Sequence, residues 1–140
     1  MKTILAALAL TVALAAPVAA ITPKRLAAIQ QRAAAGNKLI AFVVEQDYYN
    51  PGCPTCIAEV DGNNKLIRRA VPNKGVIVVK LEEQDLKKDT VPACVAGAQG
   101  LPRLVITNAD CSEVVDAIDV KADKARIAQL EEKVSAARGE

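Results

Sequence analysis

Residues 39–56 read LIAFVVEQDYYNPGCPTC, which is an apolar run, a polar loop and then two cysteines separated by two residues. The apolar run, Leu39 to Val44, has the continuous hydrophobicity of a strand that is buried on both faces. Cys53-Pro54-Thr55-Cys56 follows where a helix is predicted to begin. A Cys-x-x-Cys motif at this point can cycle between dithiol and disulfide, because a helix start lowers the pKa of the first thiol. The alternatives are a metal site, which needs two further ligands, and a structural disulfide.

The first 20 residues predict the compartment. Lys2 gives a short basic start, and Ile4 to Ala16 is an apolar run shorter than the roughly 20 residues of a membrane-spanning helix. Val18-Ala19-Ala20 offers the small residues that signal peptidase accepts. We therefore predict a signal peptide over residues 1–20, cleaved after Ala20, and one exported domain over residues 21–140 without stable membrane insertion.

The composition excludes several classes of function. The chain has 18 Lys and Arg against 16 Asp and Glu, a balance that indicates no nucleic-acid or membrane-surface partner. It has no His, which excludes His-based acid–base catalysis, a Cys/His nucleophile pair and a His-containing metal site. All four cysteines follow the leader, and disulfides form and persist in exported proteins.

The first half of the domain is predicted to form a parallel crossover unit. Thr22 and Pro23 suit the cap and first position of a helix that ends at Gly36. After the motif, a helix over residues 57–70 is expected to kink or to break briefly at residues 61–64, whose Asp, Gly and Asn disfavour helix interiors. The apolar residues Val76 to Val79, with Leu81, then form a second strand, also predicted to be buried on both faces.

The second half supplies the rest of an α/β fold. Its predicted elements are a charged, solvated connection over residues 82–89, a short helix over 90–97, a hairpin of strands at 104–106 and 114–120, and a closing helix over 122–137. The last strand has weak alternation and is expected at an edge. The order α-β-α-β-α-β-β-α predicts one mixed central sheet with helices on both faces.

This order, with Cys-x-x-Cys at the first strand–helix junction, resembles the thioredoxin fold over residues 24–137. Three features support the resemblance: Gly100-Leu101-Pro102 resembles the family's cis-proline loop, Lys80 its strand lysine, and Glu45 the buried carboxylate that pairs with that lysine. The resemblance implies a monomeric thiol–disulfide oxidoreductase with no cofactor and no metal. Its partners would be protein thiols and disulfides as substrates, and a redox partner protein that the sequence does not identify.

The resemblance also assigns roles around the motif. Cys53 is expected to attack a substrate disulfide and Cys56 to resolve the mixed disulfide. Pro54, in the first helical turn, keeps Cys53 at the helix N-terminus, where the macrodipole stabilises a thiolate. Glu45 is expected to accept the proton of Cys56, with Lys80 as its partner. Because the loop before the motif is longer than in thioredoxins, Asp47 competes for that role.

Substrate contacts are expected from Pro54 and Thr55 in the motif and from Leu101 and Pro102. Pro102, if cis, would present its neighbouring backbone to an extended peptide. The site departs from the family in two ways: Gly52 stands where thioredoxins carry Trp, and Arg103 places a cation near the site.

Cys94 and Cys111 remain outside the motif. If Cys53 and Cys56 work as a pair, the one further intramolecular disulfide is Cys94–Cys111, which we predict as a structural bridge. The alternatives are two free thiols, an intermolecular bond or a zinc site formed by all four cysteines. The rival function is a non-catalytic thioredoxin-like binding or structural module that its disulfides only stabilise.

Overall fold

Four α-helices and four strands follow one another in the predicted order within residues 21–140, the part of the chain that the structure, a computed structural model, describes. The helices are α1 (Pro23–Ala35), α2 (Pro54–Arg69), α3 (Ala93–Ala96) and α4 (Lys124–Ala137). The strands are β1 (Leu39–Glu45), β2 (Val76–Glu82), β3 (Arg103–Thr107) and β4 (Val114–Asp119). The predicted signal peptide, residues 1–20, lies outside the described residues. None of the described helices is long and apolar enough to cross a membrane.

The strands form a mixed sheet in the order β2-β1-β3-β4. β1 pairs in parallel with β2 and antiparallel with β3, and β3 pairs antiparallel with β4. The parallel crossover and the hairpin that were predicted from the sequence are therefore both confirmed, as is the edge position of β4.

The buried strand β1 divides the core into two layers. Its even-numbered side chains, Ile40, Phe42 and Val44, pack with residues of α1 and α3. Its odd-numbered side chains, Leu39, Ala41 and Val43, pack with residues of α2 and α4. Because neighbouring side chains of a strand point to opposite faces, a strand covered by helices on both sides is apolar throughout.

Two local expectations are wrong. β2 is an edge strand rather than a strand buried on both faces, and Val78 within it is 53% exposed. The brief break, one of the two alternatives for residues 61–64, is also absent: α2 is continuous there, and polar side chains of that segment bond to a neighbouring loop, as described below. The connection after β2 also contains a 3-10 helix at Glu83–Lys87.

The start of α1 follows the predicted capping chemistry. Thr22 Oγ1 accepts a hydrogen bond from the Arg25 N–H at 3.2 Å, and Pro23 occupies the first turn. At the other end of the domain, Asp123 caps α4 by accepting the Arg126 N–H at 2.8 Å. Both caps satisfy donors that a helix start leaves without intrahelical partners.

Candidate active site

The two cysteines of the motif form a disulfide at the N-terminus of α2. Cys53 is the N-cap residue, and its sulfur accepts a hydrogen bond from the Cys56 N–H at 3.3 Å. Pro54 lies in the first turn, where its missing N–H costs nothing. The hydroxyl of Thr55 lies 3.3 Å from the Cys53 sulfur. The helix N-terminus is therefore directed at the Cys53 sulfur, which is the arrangement that stabilises a thiolate.

The motif and the Gly100-Leu101-Pro102 segment leave the sheet at the same end. β1 runs toward the motif and ends at Glu45, and β3 begins at Arg103, whose pairing partner on β1 is Val44. The Leu101–Pro102 peptide bond is cis, and Pro102 is buried while Leu101 is half-buried. Pro54 and Thr55 are exposed. The candidate substrate residues of both segments thus share one end of the sheet.

Glu45 is a buried carboxylate between two cations. Lys80 Nζ lies 3.1 Å from Glu45 Oε2, and Arg68 Nε lies 3.1 Å from Oε1. Oε1 nevertheless accepts no hydrogen bond, because the Arg68 Nε–H is directed at the carbonyl oxygen of Asn64, 3.4 Å away. The structure therefore brings Glu45 and Lys80 together, and it adds Arg68, which the sequence pattern did not single out.

Asp47 and Glu45 line the same cavity, of about 540 Å³, together with Pro51. Neither Cys53 nor Cys56 lines it. Burial, and after it the negative charges of Glu82 and Glu83, raise the pKa of Asp47. The two candidate proton acceptors thus share one cavity, with Glu45 at the end of β1 and Asp47 within the loop that leads into the motif.

The loop before the motif is bonded to α2 by side chains of residues 61–64, the segment in which a kink or a break was predicted. Buried Asn64 bonds to both backbone groups of Gln46: its Oδ1 accepts the Gln46 N–H at 2.9 Å, and its Nδ2 donates to the Gln46 carbonyl at 3.1 Å. Asp61 accepts the Tyr48 hydroxyl at 2.6 Å, which raises the pKa of Tyr48. The signal in the sequence was an Asp and two Asn inside an otherwise helical pattern.

The last turn of this loop forms next to Cys53. The Cys53 N–H donates to the Asn50 carbonyl at 3.1 Å, and the Gly52 N–H donates to the Asn50 side chain at 3.2 Å. Tyr49, which follows the anchored Tyr48, is 64% exposed. The residues before the motif therefore present an aromatic surface at Tyr49, although Gly52 itself has no side chain.

Arg103, the cation expected near the site, follows Pro102 at this end of the sheet and does not present its charge to solvent. It is buried, and its guanidinium donates to the backbone carbonyls of Val95, Ala98 and Gly100. The cation that the sequence places near the site therefore faces the chain's own backbone.

Cys94 and Cys111 are neighbours without a bond between them. Both thiols are free, so the predicted Cys94–Cys111 bridge is absent from the structure. The Cys94 thiol is directed at the carbonyl oxygen of Cys111 at 3.4 Å, and the Thr107 hydroxyl lies 3.7 Å from the Cys111 sulfur. Burial raises the pKa of the Cys111 thiol. Within residues 21–140, no three Cys, Asp or Glu side chains are grouped to hold a metal ion.

Comparison with models of known protein families found no match, and comparison with curated proteins found no similar chain. The function is therefore inferred from the geometry of the site and the pattern of the sequence.

Proposed function

We propose that this chain is a thioredoxin-like thiol–disulfide oxidoreductase, exported from the cytoplasm, that exchanges disulfides with protein substrates through Cys53 and Cys56. The observation that carries the proposal is the Cys53–Cys56 disulfide at the start of α2, with the Cys53 sulfur accepting a helix N–H. The sheet order and the position of the motif between β1 and α2 support a thioredoxin-like fold. The apolar leader over residues 4–16 supports export.

The proposed reaction exchanges one disulfide for another. In the reduced protein, the Cys53 thiolate attacks one sulfur of a substrate disulfide; a Cys53–substrate bond forms, and the other substrate sulfur leaves as a thiolate. Cys56 then loses a proton and attacks the Cys53 sulfur. The Cys53–Cys56 bond forms again, and the second substrate sulfur is released. The substrate disulfide is reduced to two thiols while the dithiol of the protein is oxidised, and the reverse sequence oxidises a substrate dithiol.

Glu45 is the proposed acceptor of the Cys56 proton. It is a buried carboxylate held between Lys80 and Arg68 at the end of β1. Within residues 21–140 no carboxylate is hydrogen-bonded to Cys56, so the proton would pass through water. Removing a proton from the resolving thiol is a general-base step, a kind of catalysis that contributes about 10²–10⁴-fold where it is rate-limiting.

An extended substrate peptide would pair with the backbone around Leu101. Among the described residues, the one hydrogen bond that involves residues 99–102 is the one that Gly100 accepts from Arg103. The N–H and carbonyl groups of Leu101 are therefore available to a peptide by strand-like addition, whereas Pro102 is buried and has no N–H. Exposed Pro54 and Thr55 would contact the same peptide beside the reacting sulfur.

The proposal is tested against a purely structural module by insulin reduction with dithiothreitol. We expect the parent protein to accelerate the reaction and Cys53→Ser to abolish the acceleration, because the attacking thiolate is lost. Cys94→Ser is the matched control, since it removes a cysteine outside the motif, and it should keep the parent rate. A Cys53→Ser variant as active as the parent would refute the enzymatic function. A Cys56→Ser variant should instead accumulate the Cys53–substrate mixed disulfide.

A further inference from the structure

Arg103 carries a buried charge that forms no ion pair with a carboxylate of residues 21–140. It is 3% exposed, and burial lowers the pKa of its guanidinium. None of the ion pairs formed within residues 21–140 includes it. Its partner across the strands is Asp119, but the Asp119 carboxylate accepts the Lys121 N–H at 2.8 Å instead.

The guanidinium donates to the backbone that connects α3 to β3. Nη2 donates to the Val95 carbonyl in α3 at 2.6 Å, and Nη1 donates to the carbonyls of Ala98 and of Gly100, the latter at 3.2 Å. A helix C-terminus leaves carbonyl groups without intrahelical donors. The rigid planar fork of Arg can serve several such acceptors at once. These bonds offset part of the cost of burying the charge.

The segment of residues 97–102 (the 97–102 loop) packs Ala98 and Leu101 against the core but has few other hydrogen bonds. Gln99 and Gly100 are exposed, and a Cβ atom at Gly100 would meet no heavy atom within 4 Å. Outside the contacts of Arg103, the hydrogen bonds of this loop are those of the Gly97 and Ala98 N–H groups to α3. A buried cation is therefore the principal side-chain anchor of the loop.

We propose that Arg103 is a positioning residue that holds the 97–102 loop where its backbone pairs with the substrate peptide. This inference rests on the proposed function, since it gives the loop a substrate to receive. Arg103 touches neither substrate nor the reacting sulfurs: it acts through the carbonyls that it binds. Its effect is therefore confined to substrates that pair with the loop, and it spares chemistry that takes place at Cys53 alone.

The test compares two substrates in three variants of the reduced protein. The first substrate is a peptide disulfide long enough to pair with the loop, and the second is 5,5′-dithiobis(2-nitrobenzoate), a small disulfide that needs no backbone pairing. Arg103→Met keeps the length of the side chain but removes the charge and the donors. Arg103→Lys keeps the charge but not the planar fork. Arg126→Met is the matched control, because Arg126 lines the same cavity of about 490 Å³ as Arg103 and donates to the Asp116 carboxylate, not to the loop.

In single-turnover oxidation of the reduced protein by excess peptide, we expect Arg103→Met to raise the peptide concentration at half the maximal rate (KM) about tenfold, which corresponds to the loss of one well-placed group of contacts. The maximal rate and the rate with the small disulfide should stay at the parent values. Arg103→Lys should give a smaller rise in KM, and Arg126→Met none. Amide hydrogen exchange in residues 97–102 should become faster in both Arg103 variants and remain unchanged in Arg126→Met.

Equal losses with both substrates, or a parent-like KM in a folded Arg103 variant, would overturn the positioning role. If Arg103→Met does not fold, KM for the peptide and amide hydrogen exchange are measured in Arg103→Lys instead. Parent-like values of both in that variant overturn the inference. Failure of the proposed function is distinguishable, because the parent protein itself would then not turn over the peptide disulfide.

Discussion

The carboxylate of Glu45 and the ammonium of Lys80 lie 3.1 Å apart across the parallel strands β1 and β2. β1 is buried along its whole length, whereas Lys80 lies on an edge strand and its side chain is 40% exposed. The pair therefore connects a buried carboxylate with the solvent-facing edge of the sheet. Arg68 contributes the second cation from α2, the helix that begins at the motif.

Substitution of Glu45 by Gln should slow the resolving step. The change removes the proposed proton acceptor of Cys56 and keeps the size of the side chain. We expect the Cys53–substrate mixed disulfide to decay at least about tenfold more slowly, at the lower end of general-base effects. The measurement is rapid acid quenching followed by mass spectrometry of the mixed disulfide.

The variant Asp47→Asn shows, in the same assay, which of the two carboxylates accepts the proton of Cys56. Asp47 lines the same cavity as Glu45, so it is the matched control, and we expect its variant to resolve the mixed disulfide at the parent rate. Slow resolution in Asp47→Asn together with a normal rate in Glu45→Gln would transfer the role to Asp47.

Removal of the Asn64 side chain should release the loop that precedes the motif. Asn64→Ala breaks both hydrogen bonds to Gln46, and we expect the free energy of unfolding in urea to fall by about 2 kcal/mol. Asn63→Ala, one residue earlier in the same helix, should change it by no more than about 0.5 kcal/mol. Equal effects of the two substitutions would show that Asn64 does not anchor the loop.

The pair of Asp116 and Arg126 should stabilise the domain in a pH-dependent way. Hydrogen bonds from the Arg126 guanidinium at 2.6 and 2.7 Å hold the pKa of Asp116 below its usual range. A carboxyl group with a depressed pKa in the folded state stabilises the fold above its unfolded pKa of about 3.9, and this contribution is lost as the pH falls through the folded value.

We therefore expect Asp116→Asn to lower the free energy of unfolding by about 2 kcal/mol at pH 7 and to have little effect once the pH is below both pKa values. Asp89→Asn provides the control, because Asp89 is an exposed carboxylate. Urea unfolding across the acid range measures both variants, and a difference between parent and Asp116→Asn that does not shrink in acid would contradict the assignment.

Titration of thiols in the denatured, unreduced protein should find two, those of Cys94 and Cys111. The thiol of Cys111 should react slowly in the folded protein, because burial raises its pKa and leaves less thiolate at neutral pH. Cys94→Ser should leave a single reactive thiol. A parent protein without free thiols would mean that Cys94 and Cys111 are bridged, as the sequence analysis first predicted.

The order of helices and strands could be predicted from the sequence because the patterns that indicate these elements involve residues close together in the chain. The continuous apolar run of β1 and the Thr22-Pro23 start of α1 depend on residues close together in the chain, and both have the predicted structure. The edge position of β2 was missed, because the apolar run at Val76 to Val79 does not reveal how many strands flank it.

Contacts between distant residues account for the other differences. Asn64 disfavours a helix interior when considered alone, and only its bonds to Gln46, 18 residues away, explain why α2 continues through it. The local sequence predicts a cation near the site at Arg103, but it does not reveal that one carbonyl of α3 and two of the following loop bind that cation. The free thiols of Cys94 and Cys111 likewise depend on how a helix and a hairpin turn meet.

The most direct test of the central claim is the reduction potential of the Cys53–Cys56 disulfide, measured by equilibrium with defined ratios of reduced and oxidised glutathione. Redox exchange as the function of the motif predicts a potential between about −270 and −120 mV, the range of known thiol–disulfide oxidoreductases. A potential below about −300 mV, the range of structural disulfides, would contradict it and make the Cys53–Cys56 bond a structural element.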